Sequence, residues 1–212
     1  MRILLLSFFV SVSAFADWTK IKPTEFLIDP PPAKGSAAEK KDFQELHRLQ
    51  ESRTEEECEL ARRQAHPKYE SFFEDSSFTL LTKKQIASAK PLVSRVMDHS
   101  IRISGFYKDK YRRPRPFNVD KNLKPCAEKP SGAKAYPSSH AASAYAAACV
   151  LGLAFPKQNA ALEEHGLMLG NLRVVVGVHH PTDVIAGQKI GKDFCRWLER
   201  ESDFQEELRQ IK

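Results

Sequence analysis

One stretch of the chain combines residue types that handle phosphoryl groups. It runs from Leu172 to Asp183 and carries Arg173, His179 and Asp183 in that order. A carboxylate one helical turn past a histidine can accept a hydrogen bond from its ring and fix the tautomer. The planar guanidinium of Arg173 suits phosphate oxygens. The spacing predicts a phosphoryl-handling site, although a solvated arginine and a loop histidine would give the same short pattern.

A basic, proline-rich stretch supplies further cations. Lys108 and Arg115 are separated by six residues, and Pro114 and Pro116 on either side of Arg115 favour an extended segment. A stiff loop that holds two cations towards one point is suited to binding an anion. The alternative is an ordinary basic surface, which such a run of lysines and arginines also fits.

A third segment, from Tyr136 to His140, leads into an alanine-rich helix. Ser138 or Ser139 can cap the helix and leave backbone N–H groups free for an anion. His140 then lies in the first turn, where a bound anion would favour its protonated form and make it a general acid. A plain capped helix with a first-turn histidine is the alternative.

Taken in order, the three segments resemble the PAP2 superfamily. The patterns are Lys-x6-Arg-Pro, Pro-Ser-x-His and Arg-x5-His-x3-Asp, and they run from Lys108 to Asp183. Within that superfamily the chain is most similar to the bacterial class A non-specific acid phosphatases. Two positions depart from the family pattern: Ser139 replaces a glycine, and Leu172 replaces a serine. A serine at position 139 costs little if its φ is negative and more if φ must be positive.

The resemblance implies an enzyme that hydrolyses phosphomonoesters on the acid side of neutrality without a metal or other cofactor. His179 would attack phosphorus to give a phosphohistidine, Asp183 would hold its ring, and His140 would act as general acid and base. The resemblance also leaves open transfer to acceptor alcohols and a homo-oligomer. The residues expected to bind phosphate are Lys108, Arg115, Ser138, Ser139 and Arg173.

Three other functions fit parts of this pattern. A vanadium-haloperoxidase-like enzyme would use the same residues to hold vanadate on His179. An exported protein could bind phosphate without turnover. A metal site could recruit His140, His179, His180 and Asp183, although this is not a usual ligand set. His180 is predicted to be a structural or rim residue, and the histidines predicted to be non-catalytic are His47, His66, His99 and His165.

Length and composition place the chain among single-domain globular proteins. It has 212 residues, 42% hydrophobic residues and a net charge of +6 that is spread along the chain, so no nucleic-acid partner is expected. Residues 1–16 resemble a signal peptide, with Arg2, a short apolar run and Ala14-Phe15-Ala16 as cleavage site. We therefore expect a periplasmic or secreted protein without a transmembrane segment. Residues 17–38 would form an extended leader, and residues 39–212 the PAP2-type phosphatase domain.

The periodicity predicts an all-α, bundle-like fold of six to eight helices. Helices are expected from Glu39, from a capping box at Thr54 to about Ala65, and from a second capping box at Thr82 towards Phe106. Further helices are expected over 138–153, over 159–176 and from Pro181 to the C-terminus. Four cysteines, which could form two disulfides in any of three pairings or remain buried thiols, lie at Cys58, Cys126, Cys149 and Cys195.

Overall fold

Polar caps set the beginnings of the helices. Thr54 Oγ accepts a hydrogen bond from the Glu57 N–H at 3.2 Å, and the Glu57 carboxylate accepts one from the Thr54 N–H at 2.8 Å. Thr82 and Gln85 form the same reciprocal pair. Both predicted capping boxes are therefore formed, and each satisfies backbone donors that the first helical turn leaves free.

The computed structural model describes residues 17–211, and the predicted signal peptide, 1–16, lies outside them. The prediction of an all-α fold is confirmed, since that part of the chain contains nine α-helices and no β-strand. None of these helices is both long and apolar enough to cross a bilayer. The helices are α1 (Ala37–Ser52), α2 (Glu55–Arg63), α3 (Tyr69–Phe73), α4 (Lys83–Tyr111), α5 (Pro116–Val119), α6 (Ser139–Ala154), α7 (Asn159–Val175), α8 (Pro181–Leu198) and α9 (Ser202–Arg209).

Three helix predictions differ from the structure. Residues 17–211 contain nine helices rather than the predicted six to eight. The short helices α3 and α5 were not predicted, and the predicted last helix is divided into α8 and α9. The chain turns between Leu198 and Ser202, and α9 then returns Phe204 to the core. Phe204 comes six positions after Leu198, so on one continuous helix the two buried side chains would point to different faces. The first helix begins two residues before Glu39, where Ser36 caps it.

Helix α6 lies at the centre of the fold and packs against α4, α7 and α8. Its alanines are buried on every side, so neighbouring backbones can approach closely. A Cβ at Gly187 of α8 would lie only 2.3 Å from the Ser138 carbonyl oxygen, and one at Gly191 only 2.5 Å from that of Ala142. Glycine is therefore required at both positions, because any larger residue would push α8 away from the beginning of α6.

Residues 17–36, ahead of α1, pack onto the helices. Trp18 is buried, and its backbone N–H and indole N–H donate to Asp203 and Glu207 of α9 at 2.8 and 2.9 Å. Phe26 is also buried, with its ring edge-on to Phe194 of α8 at 5.7 Å. The segment contains two short 3-10 turns, at Trp18–Lys20 and Pro23–Glu25.

The structure also decides the state of the four cysteines. Cys58 of α2 is bonded to Cys126 in the loop after α5, and Cys149 of α6 is bonded to Cys195 of α8. One disulfide therefore ties the 120–135 loop to the helical body. The other joins two helices of the core.

Candidate active site

The three predicted segments converge where α4, α6 and α8 meet. The Ser138 N–H at the beginning of α6 donates to the carbonyl oxygen of Asp183 in the first turn of α8, at 2.8 Å. Arg115, in the loop between α4 and α5, reaches His179 in the loop between α7 and α8. The structure thus brings together the eight residues singled out in the sequence, which are Lys108, Arg115, Ser138, Ser139, His140, Arg173, His179 and Asp183.

His179 is held between an acceptor and a donor. Its Nδ1 lies 3.3 Å from Oδ2 of Asp183, and its Nε2 lies 2.7 Å from Nη1 of Arg115. Because a carboxylate only accepts and a guanidinium only donates, the proton is on Nδ1 and the lone pair is on Nε2. Burial lowers the pKa of His179 well below its usual value, and the cations Arg115 and Lys108 lower it further. The ring is therefore neutral, and its Nε2 lone pair faces Arg115.

Asp183 is fully buried and accepts three hydrogen bonds. Oδ2 receives the His180 backbone N–H at 2.9 Å and the His179 ring, and Oδ1 receives Nη1 of Arg113 at 2.7 Å. Burial raises the pKa of Asp183 to about 6, and the charge of Arg113 opposes that rise. The carboxylate can therefore orient His179, but only above a mildly acidic pH.

His140, in the first turn of α6, has a buried ring nitrogen without a hydrogen-bond partner among the described residues. Its ring packs edge-on against Phe72 at 4.8 Å between centroids. Nε2 is buried and has no hydrogen-bond partner within residues 17–211. Burial lowers the pKa of His140 well below its usual value, and the charge of Arg173 adds to this. The neutral ring can therefore take a proton from an incoming substrate at Nε2.

Three cations give the site its positive charge. Lys108 Nζ donates to the carbonyl oxygens of Lys134 and Ala135, at 3.2 and 3.0 Å. Burial lowers the pKa of Lys108 to about 7 and those of Arg115 and Arg173 to about 10. In the described part of the chain none of the three forms a salt bridge, although Asp183 partly offsets the charges of Lys108 and Arg115. Because buried cations that are not fully neutralised are costly, this group favours the binding of an anion.

The two departures from the family pattern are accommodated in different ways. Ser139 is the first residue of α6 and its φ is not positive, so serine is not strained there. Its hydroxyl accepts a hydrogen bond from Ser104 of α4 at 2.7 Å. Leu172 is buried in an apolar cluster with Ala61, Phe117 and other residues. A serine hydroxyl at 172 would lie against that apolar cluster.

Some residues of the site were not predicted. No role was predicted for Arg113, which contacts Asp183, or for Asp42 of α1, which contacts Arg113. The Arg-x-Arg-Pro spacing could have indicated Arg113, whereas nothing local indicates Asp42. His180 was predicted to be a structural or rim residue; its side chain is buried and its ring packs against Phe43, as the structural alternative expects. His47, His99 and His165 make their hydrogen bonds outside the site.

The fold and the site define a helical protein with a cationic, buried histidine–aspartate centre. Residues 93–198, half of the chain, match the PAP2 superfamily, and the chain belongs to that family. It is 26% identical to an acid phosphatase of Zymomonas mobilis over 186 residues, which cover 84% of this chain and 70% of that protein. It is 29% identical to a non-specific acid phosphatase of Providencia stuartii over 146 residues, which cover 67% of this chain and 58% of that protein.

A likeness to a solved structure supports the fold. The chain superimposes on a bacterial vanadium-dependent iodoperoxidase with a TM-score of 0.64 and 20% sequence identity. The match covers 87% of this chain and 56% of the iodoperoxidase. At this level of identity the likeness concerns the helical architecture alone.

Proposed function

We propose that this protein is an exported, metal-independent acid phosphatase that hydrolyses phosphomonoesters through a phosphohistidine. That it is a phosphatase is supported by its family and by relatives named acid phosphatase. The observation that carries the finer proposal is His179. Its Nδ1 faces Asp183 while its Nε2 lone pair faces a cluster of cations, which is the arrangement of a nitrogen nucleophile.

In the first step His179 Nε2 attacks phosphorus, a P–N bond forms and the bond to the ester oxygen breaks. His140 gives its proton to the departing alkoxide. Arg115 must first release Nε2, and the phosphate oxygens are the acceptors that would draw it away. Lys108, Arg115 and Arg173 then stabilise the charge that builds up on those oxygens.

In the second step His140 accepts a proton from water, the water oxygen attacks phosphorus, and the P–N bond breaks. His179 returns to its neutral form with Nδ1–H still donated to Asp183. An alcohol in place of water would give phosphotransfer by the same route.

The charges of the site predict a mildly acidic optimum. Activity should rise as Asp183 ionises, through about pH 6, and fall as Lys108 loses its proton, through about pH 7. A phosphomonoester also loses its second proton at about pH 6. Below that pH the substrate monoanion brings the proton that neutral His140 lacks. We therefore expect a bell-shaped profile for kcat/KM with its maximum between about pH 6 and 7.

The test is hydrolysis of para-nitrophenyl phosphate from pH 4 to 9 in EDTA, with His179→Ala and His47→Ala. His47 is a matched control, because it too pairs with a carboxylate, Asp120 at 2.7 Å, but outside the site. We expect His47→Ala to retain activity and His179→Ala to lose it. An acid-labile phosphoenzyme should be trapped with the wild type and be absent from His179→Ala.

Each alternative has a distinct outcome in the same series. Loss of activity in EDTA would indicate a metal enzyme. Phosphate binding without hydrolysis at any pH would indicate an anion-binding protein. Peroxide-dependent iodide oxidation that appears only with added vanadate would indicate a haloperoxidase.

Export is supported by the predicted signal peptide and by the two disulfides, which persist in oxidising compartments. N-terminal sequencing of the protein recovered outside the cytoplasm should begin at Asp17. A chain that begins at Met1 would contradict the proposed processing.

A further inference from the structure

Arg113 lies between two buried carboxylates. Its Nη1 donates to Oδ1 of Asp183 at 2.7 Å, and its Nη2 donates to Oδ2 of Asp42 at 2.8 Å. The side chains of Asp42, Arg113 and Asp183 are 3, 5 and 0% exposed. Solvent therefore screens these contacts little, and removal of one charge would be felt by the other two.

Asp42 links this group to the helix that carries Asp183. It accepts hydrogen bonds from the backbone N–H and the hydroxyl of Thr182, at 3.2 and 2.5 Å. Thr182 lies in the first turn of α8, next to Asp183, and an anion is favourable at that end of a helix. Thr182 Oγ1 is also 2.7 Å from Nη1 of Arg113. Arg113 is thus fixed at both ends of its guanidinium.

We propose that Arg113, held in place by Asp42, is a positioning residue that orients Asp183 towards His179 and favours its ionised form. This inference rests on the proposed phosphohistidine mechanism. Arg113 occupies Oδ1, which leaves Oδ2 for the ring of His179. Both terminal nitrogens of Arg113 are bonded to this network.

The direction of each effect follows from the charges around Asp183. Loss of Arg113 removes a cation, so the acid limb of the pH profile should move to higher pH. Loss of the charge on Asp42 leaves Arg113 less neutralised, so the acid limb should move to lower pH. The charged and titratable groups that face Asp183 are Lys108, Arg113, Arg115, Tyr136 and His179.

The experiment measures kcat/KM from pH 4 to 9 for Arg113→Gln, Arg113→Lys and Asp42→Asn, with Arg112→Gln as control. Arg112 is the exposed neighbour and carries the same charge. For Arg113→Gln we expect the midpoint of the acid limb to move to higher pH by about one unit or more, since a neighbouring arginine lowers a carboxyl pKa by that amount. The midpoint of the acid limb should move to lower pH for Asp42→Asn and stay near the wild-type value for Arg113→Lys. It should not move for Arg112→Gln.

A second readout does not depend on turnover. The ¹⁵N NMR shifts of the His179 ring should report the protonation of Asp183, and their midpoint should move in the same directions. The proposal would be overturned if Arg113→Gln and Asp42→Asn lowered kcat at every pH but left the midpoints of the acid limb and of the NMR titration unchanged. So would a shift of the same sign in both variants. An inactive wild type would instead count against the phosphatase mechanism, while the NMR titration would still test the role of Arg113.

Discussion

Lys108 offers a direct test of the electrostatics of the proposed phosphate-binding site. It is one of three cations that surround His179, and its Nζ is bonded to two backbone carbonyl oxygens. Burial and Arg115 together lower its pKa from 10.5 to about 7. An arginine at this position should remain charged, because burial lowers the pKa values of Arg115 and Arg173 only to about 10.

The size of the effect follows from that pKa. The charged fraction of Lys108 falls about fivefold from pH 7 to 8 and about ninefold from pH 8 to 9, which corresponds to about 1 and about 1.3 kcal/mol of binding free energy. Sulfate is a suitable probe, because it has the tetrahedral shape of phosphate and keeps both charges over this range. We expect the Kd of sulfate to rise about fivefold from pH 7 to 8 and about ninefold from pH 8 to 9.

The assay is isothermal titration calorimetry of the wild type and Lys108→Arg with sulfate between pH 7 and 9. Asp183 is already ionised over most of this range in both proteins. The difference between the two proteins in how Kd changes with pH therefore reports the ionisation of Lys108. The Kd of Lys108→Arg should change by less than about threefold. A constant Kd in the wild type, or an equal rise in Lys108→Arg, would refute the assignment of this pH dependence to Lys108.

Three further substitutions test the scaffold. Gly187→Ala should lower the unfolding free energy by ~2 kcal/mol in urea titrations and reduce kcat, because its Cβ would lie 2.3 Å from the Ser138 carbonyl oxygen; unchanged stability would contradict the close packing of α6 and α8. Replacing Cys58 and Cys126 by serine opens a loop of 68 residues and should cost ~4 kcal/mol in the same titrations; a loss below ~1 kcal/mol would argue against a stabilising role. Ser139→Gly should leave kcat/KM within about twofold of the wild type, since φ is already negative there; a large gain would show that the serine side chain obstructs phosphate.

Features that depend on neighbours within a few residues could be predicted from the sequence. The capping boxes at Thr54 and Thr82 need only residues three positions apart. The spacing of His179 and Asp183 is one helical turn, and their hydrogen bond is local. The order of the three motifs was enough to indicate the family, and helical periodicity was enough to predict the all-α fold.

Other features depend on packing between distant parts of the chain. The pairing of Cys58 with Cys126 and the link from Asp42 to Arg113 join residues 68 and 71 positions apart. No periodicity or cap signals such contacts, because they arise only when α1, α2 and α8 pack around the same loops. The short helix α3 and the turn before α9 were likewise decided by the burial of Phe72 and Phe204 rather than by local pattern.

The chemistry of the site also depends partly on the sequence alone and partly on the tertiary structure. The sequence by itself determined which residue types are available and that His179 has a carboxylate one turn away. Only the tertiary structure decided their ionisation, because the pKa values of Lys108, His140 and Asp183 are set mainly by burial. Burial is a property of the packed chain, since it depends on every element that excludes water from the site.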